Sequence, residues 1–192
     1  MQIRKSCSLL AKATSVIAAV CALAALAPSA HAAPNSNPVG AIRLGVYIPV
    51  NSGTRSEFGN YIAVGGLDYT FQTSGLSSRD NISVDYMDIS QHGNSLQVIP
   101  VTIGQQMINA PHGGNARTYV GYGLGAYFEH IKNPGNSNLG ASDSTNQVGF
   151  GGFLNAGVDL TDNFFLDARY HIVTPVKGYN IDGLELTAGI RF

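Results

Sequence analysis

The chain has 192 residues, with 11 Lys or Arg against 12 Asp or Glu and a formal net charge of −1. That balance argues against nucleic acid as a partner, since phosphate binding needs clustered Lys and Arg. Cys7 and Cys21 are the 2 cysteines and both lie near the N-terminus, so the rest of the chain can form neither a disulfide framework nor a cysteine metal site.

The N-terminus reads as a secretory signal. Arg4, Lys5 and Lys12 supply its positive region, Val16 to Ala27 an apolar run, and Ala30-His31-Ala32 a small-x-small cleavage site. The cut is expected after Ala32, leaving Ala33 as the first residue. Val20 stands where lipid attachment at Cys21 would want a small residue, and the run is too short for a permanent membrane helix. The organisation expected is a signal peptide at 1–32, a polar leader at 33–38, and one domain at 39–192. Without Arg4, Lys5 and Lys12, 8 basic residues face 12 acidic ones, a net charge of −4. All 23 glycines and all 9 tyrosines fall in this mature part. Glycine weakens helices, Tyr favours strands and membrane interfaces, and charge, Gly or Pro interrupts every window long enough to cross a bilayer as a helix. If the chain enters a membrane, it must do so as a closed barrel.

Period-two alternation runs through the mature chain. Strand one is expected from about Val39 to Val50, with Ile42, Leu44, Val46 and Ile48 opposite Arg43, Gly45 and Tyr47, and Asn51 to Gly59 as a loop. Strand two covers about Asn60 to Gln72, with Asp68 opposite Leu67 and Tyr69. Strand three runs from about Asp80 to Ser90, with Asp85 opposite Val84 and Tyr86. Gln91 to Ser95, centred on Gly93-Asn94, reads as a tight hairpin. Strand four spans about Leu96 to Met107, and Pro100, which has no N–H for a ladder, belongs near a strand end or a bulge. After the turn Asn109 to Ala116, strand five (Arg117 to Glu129) interleaves Val120, Tyr122, Leu124 and Phe128 with Tyr119, Gly121, Gly123, Gly125 and Tyr127. His130 to Asn146 is polar, aperiodic and reads as an exposed loop. Strand six covers about Gln147 to Leu160 and strand seven Phe164 to Val173, where Asp167, Arg169 and His171 oppose Leu166, Ala168, Tyr170 and Ile172. Thr174 to Asp182 leads into the closing strand, Gly183 to Phe192, with Glu185 and Arg191 opposite Leu184, Leu186, Ala188 and Ile190.

The segments IPVTIG (Ile99 to Gly104), YVGYGLGAYFE (Tyr119 to Glu129), GFGGFLNAGVDLTDNFFLDARY (Gly149 to Tyr170) and GLELTAGIRF (Gly183 to Phe192) resemble the small outer-membrane β-barrel superfamily of OmpX, Ail and OmpW types. The likeness covers about Val39 to Phe192. It implies an all-β, eight-stranded antiparallel up-and-down transmembrane barrel in the outer membrane of a Gram-negative-type cell. It also implies that Phe192 is the signal read by the barrel-insertion machinery. The superfamily holds adhesins and passive barrels, so the role expected is structural or surface-interacting. The expected partners are outer-membrane lipids and lipopolysaccharide, together with an extracellular ligand met by loops 51–59, 130–146 and 174–182. A monomer without cofactor is expected.

The charged residues Arg43, Asp68, Asp85, Asp167, Arg169, Glu185 and Arg191 are expected to point inward as a network, because eight strands leave a lumen that side chains fill and an unpaired ion there is costly. No spacing among His92, His112, His130 and His171 reads as a metal site. His171 is the one histidine in a plausible catalytic position, but Ile172, Val173 and Thr174 follow it, and the His-x-Ser pattern of outer-membrane lipid A hydrolases is absent. Two alternatives stay open: a membrane-embedded lipid-modifying enzyme, and a soluble periplasmic barrel that holds a lipophilic ligand. Alternation alone does not say which face is inside.

Overall fold

The computed structural model of the chain describes residues 40–71, 78–91, 93–109, 116–133, 143–175 and 179–192. The signal segment with Ala30, Ala32 and Ala33, the leader, His92 and His112 lie outside them. The strands are β1 (Gly40–Pro49), β2 (Ile62–Phe71), β3 (Ser78–Gln91), β4 (Asn94–Asn109), β5 (Arg117–Asn133), β6 (Asp143–Asp159), β7 (Phe164–Val173) and β8 (Gly183–Arg191). Each pairs antiparallel with the next, and β8 pairs with β1, closing the barrel.

The register sets the shape. From Gly40 it passes through Tyr69, Ile82, Ile103, Leu124, Gly152 and Ile172. The β7–β8 offset carries it to Asp182, whose carbonyl accepts from Val50 N. One circuit thus climbs from position 40 to position 50, a stagger of ten residues. With about 3.3 Å per residue and about 4.8 Å between strands, that stagger tilts eight strands by roughly 40°.

Closure settles which row of each strand faces out. Leu67, Ile103, Leu124, Phe150, Leu154 and Ile172 stand on the outer wall, with Leu124 70% exposed. The opposite rows, with Arg43, Asp85, Asp167, Arg169 and Glu185, are buried in the lumen. A barrel holding a lipophilic ligand would need the reverse. On β5 the outward row is apolar or aromatic from Val120 to Phe128 and turns polar at His130. At the same rise and tilt those eight steps cover about 20 Å of height, close to the apolar band of about 25 Å on outer-membrane barrels.

Several expectations need correction. The loop expected at Asn51 to Gly59 contains a helix, α1 (Ser52–Phe58). Asn51 caps it by accepting from Thr54 N, and Gly59 ends it at φ 104°. Its seven residues are too few to display helical periodicity in a sequence. Pro100 sits well inside β4 rather than at an end or a bulge. The β3–β4 ladder skips from Val84↔Val101 to Met87↔Val98 without changing register, so the missing N–H falls in a local gap on the β3 side. The hairpin turn lies one residue earlier than expected, since Asn94 already pairs with Gln91 and Gly93 takes φ 87°.

Strands β4, β5 and β6 run to 16, 17 and 17 residues. They consume both ends of the expected 130–146 loop, because His130 pairs with Asn146 and Lys132 with Ser144; positions 134–142 are outside the described residues. Polar residues such as Lys132, Ser144 and Asn146 pair there because the outward face of the ribbon is exposed, so no apolar row marks it. The last strand ends at Arg191, and Phe192 follows it, exposed.

Candidate functional site

Between the end of the barrel that holds β1's start and β8's finish and the end capped by α1, the lumen carries three layers. The lowest is built on Asp159, at the end of β6. Asp159 Oδ1 lies 2.7 Å from Arg191 Nη1, and its Oδ2 lies 2.5 Å from Arg79 Nη2 and 3.7 Å from Arg117 Nε. Arg191 also stacks over the Phe165 ring at 4.0 Å and Arg79 over Tyr119 at 5.5 Å.

The middle layer joins six of the seven expected charges. Arg43 on β1 spreads its guanidinium among three strands: Nε to Asp68 Oδ2 at 2.8 Å, Nη2 to Asp85 Oδ1 at 2.5 Å and Nη1 to Glu185 Oε1 at 2.5 Å. Arg169 on β7 holds Asp167 Oδ2 at 2.6 Å and reaches Asp68 at 3.5 Å and Asp85 at 4.0 Å. Asn155 donates to Asp167 at 3.0 Å, and Arg169 Nη1 donates to Ser83 Oγ at 3.3 Å. Four carboxylates thus share two guanidiniums in a space closed to solvent. Arg191, the seventh, is not among them; the tilt places the end of β8 beside the end of β6, and it pairs with Asp159 below.

His171 marks the top of this layer. Its Nε2 is 2.9 Å from Glu185 Oε2, its Nδ1 2.9 Å from Tyr127 OH, and the ring packs edge-on against Tyr47 and Tyr127. Above it the lumen is apolar: Ile62, Met87, Leu96, Val98, Ile131, Val173 and Ile181 form one cluster with Phe58 of α1. Phe58 is fully buried and meets Tyr179 edge-on, while Thr54 Oγ1 donates to Asn180 O at 2.6 Å. The helix is held as a plug over the barrel mouth. The space left beneath it, about 10 Å³, is the least that could hold one water. His171, at 1% exposure, lines this small space.

Glu129 stands apart, one residue beyond the end of β5's outward apolar row. It points inward and is 3% exposed, and neither carboxylate oxygen has a hydrogen-bond partner.

Asp159, Arg79, Arg117, Tyr127, Ser83, Asn155 and Glu129 were not among the expected site residues. Asp159, Asn155 and Glu129 share parity with inward neighbours on β6 and β5, so alternation could have found them. Arg79 sits where the sequence reads as a turn, and nothing local marks it. Gly123 has a spatial reason to lack a side chain, since a Cβ there would run into the Phe153 ring facing it on β6. Among the described residues, no group of three or more His, Cys, Asp and Glu is placed to hold a metal, and no helix is long and apolar enough to cross a membrane.

No protein-family model matches the sequence, and no curated protein matches it. Solved structures do match in shape. Neisserial surface protein A (NspA) superposes with a TM-score of 0.59 at 13% identity, over 81% of this chain and 96% of that one. The N-terminal β-barrel domain of OprF from Pseudomonas aeruginosa gives 0.51 at 16% identity, over 81% and 98%. The chain shares the fold of these small eight-stranded outer-membrane barrels.

Proposed function

We propose that this chain is a monomeric outer-membrane barrel with a structural and surface-interacting role, and that it neither conducts nor catalyses. The observation that carries the reading is the polarity of the closed wall: large apolar side chains outside, ion pairs inside. Placed in lipid, this arrangement pairs each strand with two neighbours and keeps charge from the hydrocarbon, where Arg or Lys at the midplane costs roughly 2–4 kcal/mol. The filled lumen supports a solid stave rather than a pore. With the chain termini towards the periplasm, α1, the projecting β5–β6 ribbon and the 174–182 connection are the parts offered to an extracellular ligand. Residues 1–32 act as the cleaved signal, and Phe192 as the mark for the insertion machinery.

Two measurements test this. Fractionation should recover the protein with the outer membrane, and recovery in soluble extracts without detergent would end the membrane reading. The mature sequence has no cysteine, so Arg55→Cys on exposed α1 gives a single label. A membrane-impermeant maleimide should react with it in intact cells; protection until lysis would invert the topology.

A further inference from the structure

The outer wall is not uniform around its circumference. On β4, β5 and β6 the register lines up three outward rows. Ile99, Phe128 and Val148 make an apolar row at the upper edge of the band. Two residues along, Gln97, His130 and Asn146 make a row of hydrogen-bonding groups, and a further two along Lys132 stands between Ser95 and Ser144. The first two rows, together with Glu129 and Gln147 between them, line an open groove of about 370 Å³; the Glu129 side chain itself is buried on the lumen side. His130 Nδ1 and Asn146 Oδ1 are 2.6 Å apart, so the ring nitrogen donates and the amide N–H groups of Asn146 are left to the groove. Lys132 is exposed and has no carboxylate partner among the described residues. Asp88 on β3, beside Gln97, is the acidic edge that confines an anion to the β5 side.

At about 3.3 Å per residue the three rows span roughly 13 Å, passing from apolar through hydrogen-bonding to cationic. A membrane lipid has that order over that length: acyl chain, ester or amide linkage, phosphate. We propose that this face is a site for one lipid of the outer leaflet whose phosphate carries a net negative charge with no ammonium of its own to balance it. Its chain lies along Phe128 and Val148, its linkage meets His130 and Asn146, and its phosphate is held by Lys132. The groove continues the band that meets lipid, so the inference rests on the outer-membrane reading above.

The test uses the mature protein inserted in phosphatidylcholine nanodiscs, with bisphosphorylated lipid A as probe and native mass spectrometry counting the lipids retained. One lipid A should remain on the parent protein in preference to phosphatidylcholine. Lys132→Gln combined with His130→Ala should weaken retention by about tenfold or more, the loss expected when a charge-assisted bond to phosphate is removed. Arg55→Gln, which removes an exposed cation outside the groove, should change nothing. Equal retention by the double variant and the parent, or by phosphatidylcholine and lipid A, overturns the site while leaving the membrane reading intact. Failure of the parent protein to insert overturns both.

Discussion

Arg43 is the residue whose loss the lumen should tolerate least. Its guanidinium contacts Asp68, Asp85 and Glu185 at 2.8, 2.5 and 2.5 Å, all enclosed. Arg43→Met keeps most of the side-chain volume and removes the charge. Arg169 would then face four carboxylates alone, reaching Asp68 and Asp85 only at 3.5 and 4.0 Å. Glu185 would keep His171 as its sole partner. Breaking a buried pair in this way costs about 3–5 kcal/mol, because the stranded charge cannot reach water. Arg43→Lys should fall between, since an ammonium cannot serve three carboxylates in the geometry of a planar fork. The assay is a reversible urea titration of the barrel in detergent, followed by far-UV circular dichroism and by gel mobility before and after heating. The chain has no Trp, so any fluorescence must come from its 9 tyrosines. Adding Asp85→Asn and Glu185→Gln to Arg43→Met removes the stranded charges and should restore about 2 kcal/mol. A loss below about 1 kcal/mol for Arg43→Met, or no recovery in the triple variant, would refute the account of the lumen as mutually dependent charges.

Glu129 is buried with neither carboxylate oxygen paired, so Glu129→Gln should leave the barrel at least as stable as the parent; a loss above about 1 kcal/mol would contradict this. A Cβ at Gly45 would overlap the Leu186 carbonyl across the closing seam, whereas one at Gly65 meets the Leu44 Cδ2 at 3.4 Å and the Arg43 carbonyl oxygen at 3.9 Å, both ordinary contacts. In the same titration Gly45→Ala should cost roughly 2–3 kcal/mol or block closure, and Gly65→Ala less than about 1 kcal/mol. Phe58→Ala removes the side chain that seats α1, so trypsin should cut after Arg55 about tenfold faster while the barrel keeps its folded mobility. Phe192→Ser should lower outer-membrane yield in cells while leaving the urea midpoint of the refolded barrel within about 0.5 kcal/mol of the parent; normal yield would remove Phe192 from the insertion signal.

The local sequence was enough to specify eight strands, the two alternating rows of each and the closing role of Gly183 to Arg191. Period two is a property of each strand alone, so Arg43, Asp85, Asp167, Arg169 and Glu185 could be grouped before any pairing was known. Alternation could not tell inside from outside, because a single strand has two equivalent faces until the sheet curves. Closure broke that equivalence and put Leu124 outside and Arg43 within. The partners were equally hidden. Arg43 and Glu185 are 142 positions apart in the chain, and they meet only because β8 pairs with β1. Arg191 left the network expected for it because the stagger of the barrel lifts neighbouring strands past one another, bringing Arg191 to Asp159 instead. Pro100 and α1 show the same limit. A missing donor can be absorbed wherever the neighbouring ladder has a gap, and a seven-residue helix is held by the mouth it plugs, with Phe58 buried in a cluster drawn from β1 to β5, from β7 and from Ile181. Sequence thus decided what each strand could offer to either face, and the tertiary structure decided the faces and the partners, because both depend on curvature and stagger that no single strand encodes.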